Sequence, residues 1–148
     1  MRNKLIQMKR ILIFTVFVLL CYNCSENNPI ANNDYTASSV IVNKDLYATA
    51  PSDYLEVIAL SIDNDSLRIM FSSGGCNGNT WDVKLIDSSS ILESFPVQRN
   101  LRLSLKNKEL CKAIVFKEMA FDISKLQVEG GKIQLNITNS NKRILYEY

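Results

Sequence analysis

Apolar and polar residues alternate with a period of two along most of the chain. Leu101, Leu103 and Leu105 alternate with Arg102, Ser104 and Lys106, and Ile133, Leu135 and Ile137 with Lys132, Gln134, Asn136 and Thr138. Leu67, Ile69 and Phe71 alternate with Arg68 and Ser72, Met70 interrupting the polar face, and Trp81, Val83 and Leu85 alternate with Asp82 and Lys84. Successive side chains of a strand point to opposite faces, so each run predicts a strand with one face on a core and one toward water. Turn-forming clusters separate the runs: Asp63-Asn64-Asp65-Ser66, Ser73-Gly74-Gly75, Asn77-Gly78-Asn79, Lys106-Asn107-Lys108, Gly130-Gly131 and Asn139-Ser140-Asn141. Ser39–Val42, Leu55–Ile62, Leu110–Phe116, Met119–Ile123 and Ile144–Tyr148 complete a set of about eight or nine strands. No segment of this region sustains a 3.6-residue apolar stripe, and Ser90–Ser94 reads as a short turn at most. The expected fold is all-β: an antiparallel β-sandwich of about eight strands, immunoglobulin-like or related, with a small β-barrel as the alternative. Cys76, Trp81 and Cys111 superficially match an immunoglobulin pattern, but Trp81 follows the first cysteine too closely for a true one.

The first 23 residues follow another rule. Arg2, Lys4, Lys9 and Arg10 precede an apolar run, Ile11–Leu20, broken only by Thr15. That run is shorter than the ~20 residues an ordinary transmembrane helix needs, and a basic start followed by a short apolar core reads as a secretory signal peptide. Cys21 and Cys24 follow it. Cys24, with the small polar Asn23 before it and Ser25-Glu26-Asn27-Asn28 after it, is the expected lipidated first residue of the mature chain, with Cys21 as the alternative. Residues 24–37 read as a flexible, Asn-rich tether and 38–148 as a single β-sandwich domain.

Export changes the charge. The whole chain carries 17 basic and 15 acidic residues, +2, but four of the basic residues and none of the acidic ones lie before Cys24; the mature chain is therefore −2, with 13 basic against 15 acidic. The basic excess belongs to the signal, and no nucleic-acid partner is expected. Cys76 and Cys111 remain, and two cysteines in an exported domain are expected to be bridged, the alternative being buried thiols. Such a bridge stabilises by ~3–4 kcal/mol in the chain-entropy model.

The absence of histidine excludes Ser-His-Asp and Cys-His catalysis, His-ligated zinc, haem on a proximal His and imidazole pH switching. The most unusual local feature is Gly74-Gly75-Cys76-Asn77-Gly78-Asn79-Thr80, whose glycines permit close backbone approach and whose Asn77, Asn79 and Thr80 offer polar groups to a ligand. It lacks the lysine and spacing of a phosphate loop, and a tight connection held by the disulfide is the simpler reading. Asp63-Asn64-Asp65 lacks the glycine and downstream glutamate of an EF-hand loop and reads as a hairpin turn, so no metal is expected. Asp65-Ser66-Leu67 resembles the Asp-Ser/Thr-apolar O-glycosylation sequon of exported Bacteroidota proteins, which would place a glycan on Ser66. A carboxylate pair for glycoside hydrolysis would have to come from Glu93, Glu109, Glu118, Asp82 and Asp87, which read as scattered surface acids.

Ser72-Ser73-Gly74-Gly75-Cys76, Trp81-Asp82-Val83-Lys84-Leu85, Leu92–Gln98, Leu101–Leu105, Cys111 and Phe121–Leu126 together resemble a group of small, largely uncharacterised lipoproteins of Bacteroidota. The resemblance spans roughly residues 55–140, and its most specific element is the spacing from Gly-Gly-Cys to the second cysteine. It implies an exported, disulfide-bearing β-domain and no established activity, so no functional residue is carried over.

The expected protein is anchored to the cell envelope by an N-terminal lipid, in the outer membrane on its periplasmic or surface face. It acts as a non-enzymatic binding or accessory module without cofactor, its partner an envelope protein or a glycan. The alternative is an inhibitor or immunity-type protein directed at a secreted hydrolase.

Overall fold

Alternating segments become strands because each buries one apolar row. The computed structural model describes residues 38–148, which fall within one compact unit. In chain order they form β1 (Ser38–Ser39), β2 (Ile41–Val42), α1 (Lys44–Thr49), β3 (Glu56–Asp63), β4 (Ser66–Gly75), β5 (Asp82–Leu92), β6 (Gln98–Lys106), β7 (Ala113–Asp122), a 3₁₀ turn (Ser124–Leu126), β8 (Lys132–Ile137) and β9 (Arg143–Glu147). A four-stranded sheet, β1-β7-β4-β3, and a five-stranded sheet, β2-β5-β6-β8-β9, make a sandwich rather than a closed barrel. The signal, the tether and both candidate lipidation residues, Cys21 and Cys24, lie outside the described residues.

The inward rows are those the alternation marks. Leu67, Ile69 and Phe71 of β4, Leu101, Leu103 and Leu105 of β6, and Ile133, Leu135 and Ile137 of β8 are all buried in one core. Trp81 joins it, its ring centroid 6.0 Å from that of Phe71. Val40, buried between β1 and β2, marks where the entering chain passes from one sheet to the other.

Three features differ from the sequence expectation. Pairing is mixed, not wholly antiparallel: β1–β7, β2–β5 and β6–β8 are parallel. Alternation reports which face a side chain takes and carries no information on strand direction, which is set here by the crossings between sheets. Next, Leu110–Phe116 and Met119–Ile123 are not two strands but belong to the region of the single strand β7. Lys117-Glu118 looks like a break, yet Lys117, in register with the inward Phe71, sends its ammonium to the Gly78 carbonyl, while Glu118 pairs with Arg68 on the outer face at 3.6 Å. Similarly β5 runs through Ser90 to Leu92 past a register shift, with Ser89 at φ 64°.

The third feature is α1, which alternation does not predict. Asn43 caps it, accepting the Leu46 N–H at 2.8 Å, Asp45 stands in its first turn, and Pro51 follows its end. Six residues are too few for an apolar stripe. The helix packs on β5, and Arg102, on the outer face of β6, holds its end by donating to the carbonyls of Tyr47 (2.7 Å) and Ala50 (2.8 Å). One face of the five-stranded sheet is thus covered where the alternation had suggested water.

Candidate functional site

The segment between β4 and β5 is built around a carboxylate supplied from elsewhere in the chain. Cys76 and Cys111 are bridged with their Cα atoms 4.9 Å apart, ordinary disulfide geometry, which ties this loop to the connection between β6 and β7. Two residues before Cys111, the side chain of Glu109 reaches into the loop. Its Oε2 accepts the backbone N–H groups of Cys76 (2.6 Å), Gly78 (3.0 Å) and Asn77 (3.1 Å); its Oε1 accepts the Thr80 hydroxyl (3.0 Å) and the Thr80 N–H (3.4 Å). Successive N–H groups converging on one point form a nest for an anion. The Glu109 carboxyl titrates at about 2 rather than the ordinary 4.5: desolvation pushes it up, and the N–H donors of Gly78, Cys76 and Asn77 with the Thr80 hydroxyl more than reverse this.

Two glycines are needed for this geometry. A Cβ on Gly75 would stand 2.6 Å from Glu109 Oε2, and Gly78, at φ +70°, would place one 2.9 Å from Lys117 Cε. Gly74 has open space around it. Asn77 accepts the Asn79 N–H at 2.9 Å and so shapes the turn. The Lys117 ammonium sits 5.6 Å from the Trp81 ring centroid, closing the other side. The ligand-loop residues Gly74, Gly75, Asn77, Gly78, Asn79 and Thr80 are therefore gathered at one place, with Gly74 and Gly75 ending β4. The residue that sequence reasoning did not connect with them is Glu109, whose only signal is its position two residues before the second bridged cysteine.

The other acids are committed separately. Asp82 pairs with Lys84 at 2.9 Å, Glu118 with Arg68, and Glu93 is exposed beyond β5. Asp87 is not a surface acid at all: it is buried on the inward row of β5, opposite Leu101, and meets Arg99 at 2.9 Å. Burial pushes its carboxyl up, against the Ser89 N–H and the Arg99 charge, which pull it down. Ser66 opens β4 at the β3–β4 hairpin, opposite Asp122, and is partly exposed; the adjacent Asp65 is engaged by Tyr146 and by Gln127 at 3.1 Å.

Next to the loop lies an uncovered sheet face. Register places Gly74 with Ile114, Ser72 with Phe116 and Glu56, and Met70 with Glu118 and Ala59 on the outer side of the four-stranded sheet. Ile114 is 71% exposed, Phe116 65%, and Leu110, in the connection before β7, 94%. Among the described residues the depressions are shallow, one of them beside the loop and lined by Thr80, Asp82, Lys106 and Lys108.

No family model and no curated protein matches the sequence. Solved structures share its fold, among them the following three. A NigD-like immunity protein from Bacteroides caccae matches with a TM-score of 0.54 at 13% identity, over 74% of this chain and 58% of that one. A protein of unknown function from Bacteroides vulgatus matches with a TM-score of 0.51 at 17% identity, over 76% and 57%. A toxin-related protein from Parabacteroides distasonis matches with a TM-score of 0.50 at 16% identity, over 76% and 61%. This chain thus spans about three fifths of the length of each. At these identities the likeness is one of fold, and it lies with Bacteroidota proteins of little-characterised function.

Proposed function

We propose that this chain is a non-enzymatic binding module of the cell envelope, held to the outer membrane by lipid on Cys24, and that it engages a partner protein through the outer face of its four-stranded sheet. The observation that carries the reading is the exposure of Ile114 and Phe116 in succession along β7 on that face, with Met70 diagonal to Phe116, bordered by Glu56 across Ser72 and by the Arg68–Glu118 pair further along the strands. An apolar centre with a charged surround is the anatomy of a protein interface, and contiguous exposed apolar surface is uncommon on a domain that works alone. The test is photo-crosslinking of the full chain in intact cells, with a photoreactive residue at Phe116 and, separately, at the exposed Glu147 of β9. A discrete adduct from position 116 and none from 147 is expected; equal or absent crosslinking at the two positions would remove the reading. Metabolic labelling with palmitate, lost in Cys24→Ala, tests the anchor; label that persists moves it to Cys21 or ends the lipoprotein reading.

A second reading is favoured by the fold shared with a NigD-like immunity protein: a blocker of a secreted hydrolase. Incubation with envelope and competitor lysozymes and proteases tests it, and absence of inhibition at micromolar concentration removes it.

A further inference from the structure

We propose that the loop 75–80 is a carboxylate-binding site, occupied within the chain by Glu109 and open to an acidic side chain or C-terminal carboxylate of another molecule when Glu109 swings out. The site does not depend on the sheet face and stands or falls separately from it.

Three independent features support it. The loop presents backbone N–H groups of Cys76, Asn77 and Gly78, plus the N–H and hydroxyl of Thr80, to a single carboxylate, so its selectivity is already displayed by its internal occupant. Second, the indole nitrogen of Trp81 lies beside the same carboxylate and has no acceptor. Trp81 is 9% exposed and its Nε1 has no hydrogen-bond partner among the described residues. The position a Cβ would take on Gly75 lies 3.2 Å from that nitrogen and 2.6 Å from Glu109 Oε2, so donor and carboxylate flank one spot without bonding. A buried donor left unpaired costs about 1–3 kcal/mol, a cost that a carboxylate reaching it in place of Glu109 would relieve. Third, the surface beside the loop is cationic. The depression next to Thr80 is lined by Lys106 and Lys108, and its one acid, Asp82, is paired with Lys84 at 2.9 Å.

Exchange needs only a side-chain rotation. The Glu109 backbone is held on one side by Asn107, whose Nδ2 donates to the Gly74 carbonyl at 2.6 Å and whose Oδ1 accepts the Glu109 N–H at 2.9 Å. On the other side Cys111 is fixed by the disulfide. These ties keep the first residues of the loop and the Glu109 backbone fastened together when the carboxylate leaves. Glu109 competes at high effective concentration because it belongs to the same chain, so an external carboxylate binds weakly until that competitor is removed.

The test uses the oxidised full chain, wild type and Glu109→Ala, titrated with sodium acetate, with N-acetylglutamate α-amide and with N-acetylalanine. Sodium chloride and phosphate at matched ionic strength are the controls. Trp81 is the sole tryptophan, so its emission reports on the site directly. Acetate should change Trp81 emission and raise Tm saturably in Glu109→Ala, with half-saturation at least about tenfold below any wild-type response. Response to the glutamate amide identifies a side-chain ligand, response to N-acetylalanine a C-terminal one, and either supports the site. If Glu109→Ala does not fold, Glu109→Gln keeps the packing and weakens the internal competitor, a neutral amide being a poorer acceptor than a carboxylate, and acetate should then shift the backbone amide resonances of Cys76, Asn77 and Gly78. Absence of a saturable response in the folded variant, or an equal response to chloride or phosphate, would overturn the proposal.

Discussion

Glu109 shows how a single side chain decides what a glycine-rich loop becomes. Without a carboxylate, the N–H groups of Cys76, Asn77 and Gly78 would point at one another's neighbourhood with no acceptor; with it, they are satisfied together. The pH dependence follows from the same bonds. The folded protein holds this carboxyl at about 2, and the unfolded chain releases it to the ordinary 4.5, so on acidification the unfolded state takes up the proton first. The stabilisation is complete above the unfolded value and is lost as pH falls from 4.5 toward about 2. Glu109→Gln should therefore be less stable than wild type at neutral pH and should flatten the acid limb across that window. Urea midpoints at a series of pH values measure this, and parallel limbs for the two proteins would remove Glu109 from the role. The site was half legible beforehand. Gly75, Asn77, Gly78, Asn79 and Thr80 announce a loop rich in free donors, whereas their acceptor stands 33 positions from Cys76 and carries no local mark beyond its nearness to Cys111.

At the scale of elements, the strands that alternation marks are those that bury one clean row, such as Leu101, Leu103 and Leu105 of β6. Alternation fails where a polar residue takes an inward place with its own partner. Lys117 does so in β7, and Asp87 with Arg99 does so where β5 shifts register. The short helix α1 was hidden for the opposite reason: none of its residues is buried, and its place is set by the Asn43 cap and by Arg102 reaching from β6. Asp87 and Arg99 give this scale its prediction. Burial raises the Asp87 carboxyl, so its charged form costs stability; the contribution is most favourable below the ordinary carboxylate range and is lost as pH rises through the raised value. Asp87 Oδ2 and Arg99 Nε are also buried without partners among the described residues. Removing one partner, as in Asp87→Leu, should destabilise by about 3–5 kcal/mol because Arg99 is left buried and unpaired. Replacing both, as in Asp87→Leu with Arg99→Met, should be neutral or stabilising by about 1–4 kcal/mol. Chemical denaturation of the single and double variants checks the pair, and a double variant as weak as the single one would mean that the ion pair contributes what its packing does not.

For the whole molecule, the question is what joins the two sheets beyond the shared core. The Cys76–Cys111 bridge sits where the β4–β7 ladder ends, just past the Gly75–Ala113 pair, and it fastens the four-stranded sheet to the connection leaving β6 of the other. Glu109 makes the same connection by hydrogen bonds two residues away. Closing a loop of 35 positions contributes about 3–4 kcal/mol in the chain-entropy model, so Cys76→Ala with Cys111→Ala should lose about that much. Because the bridge and the carboxylate hold the same two segments together, their losses should not add. Once the bridge is gone, the loop is free to drift from Glu109 and the nest loses part of its order, leaving less for Glu109→Gln to remove. A double-mutant cycle between the cysteine pair and Glu109→Gln, read by urea denaturation at neutral pH, should therefore give a combined loss smaller than the sum. Strict additivity would mean that the nest forms equally well without the disulfide, and that the carboxylate and the covalent link hold the two segments independently.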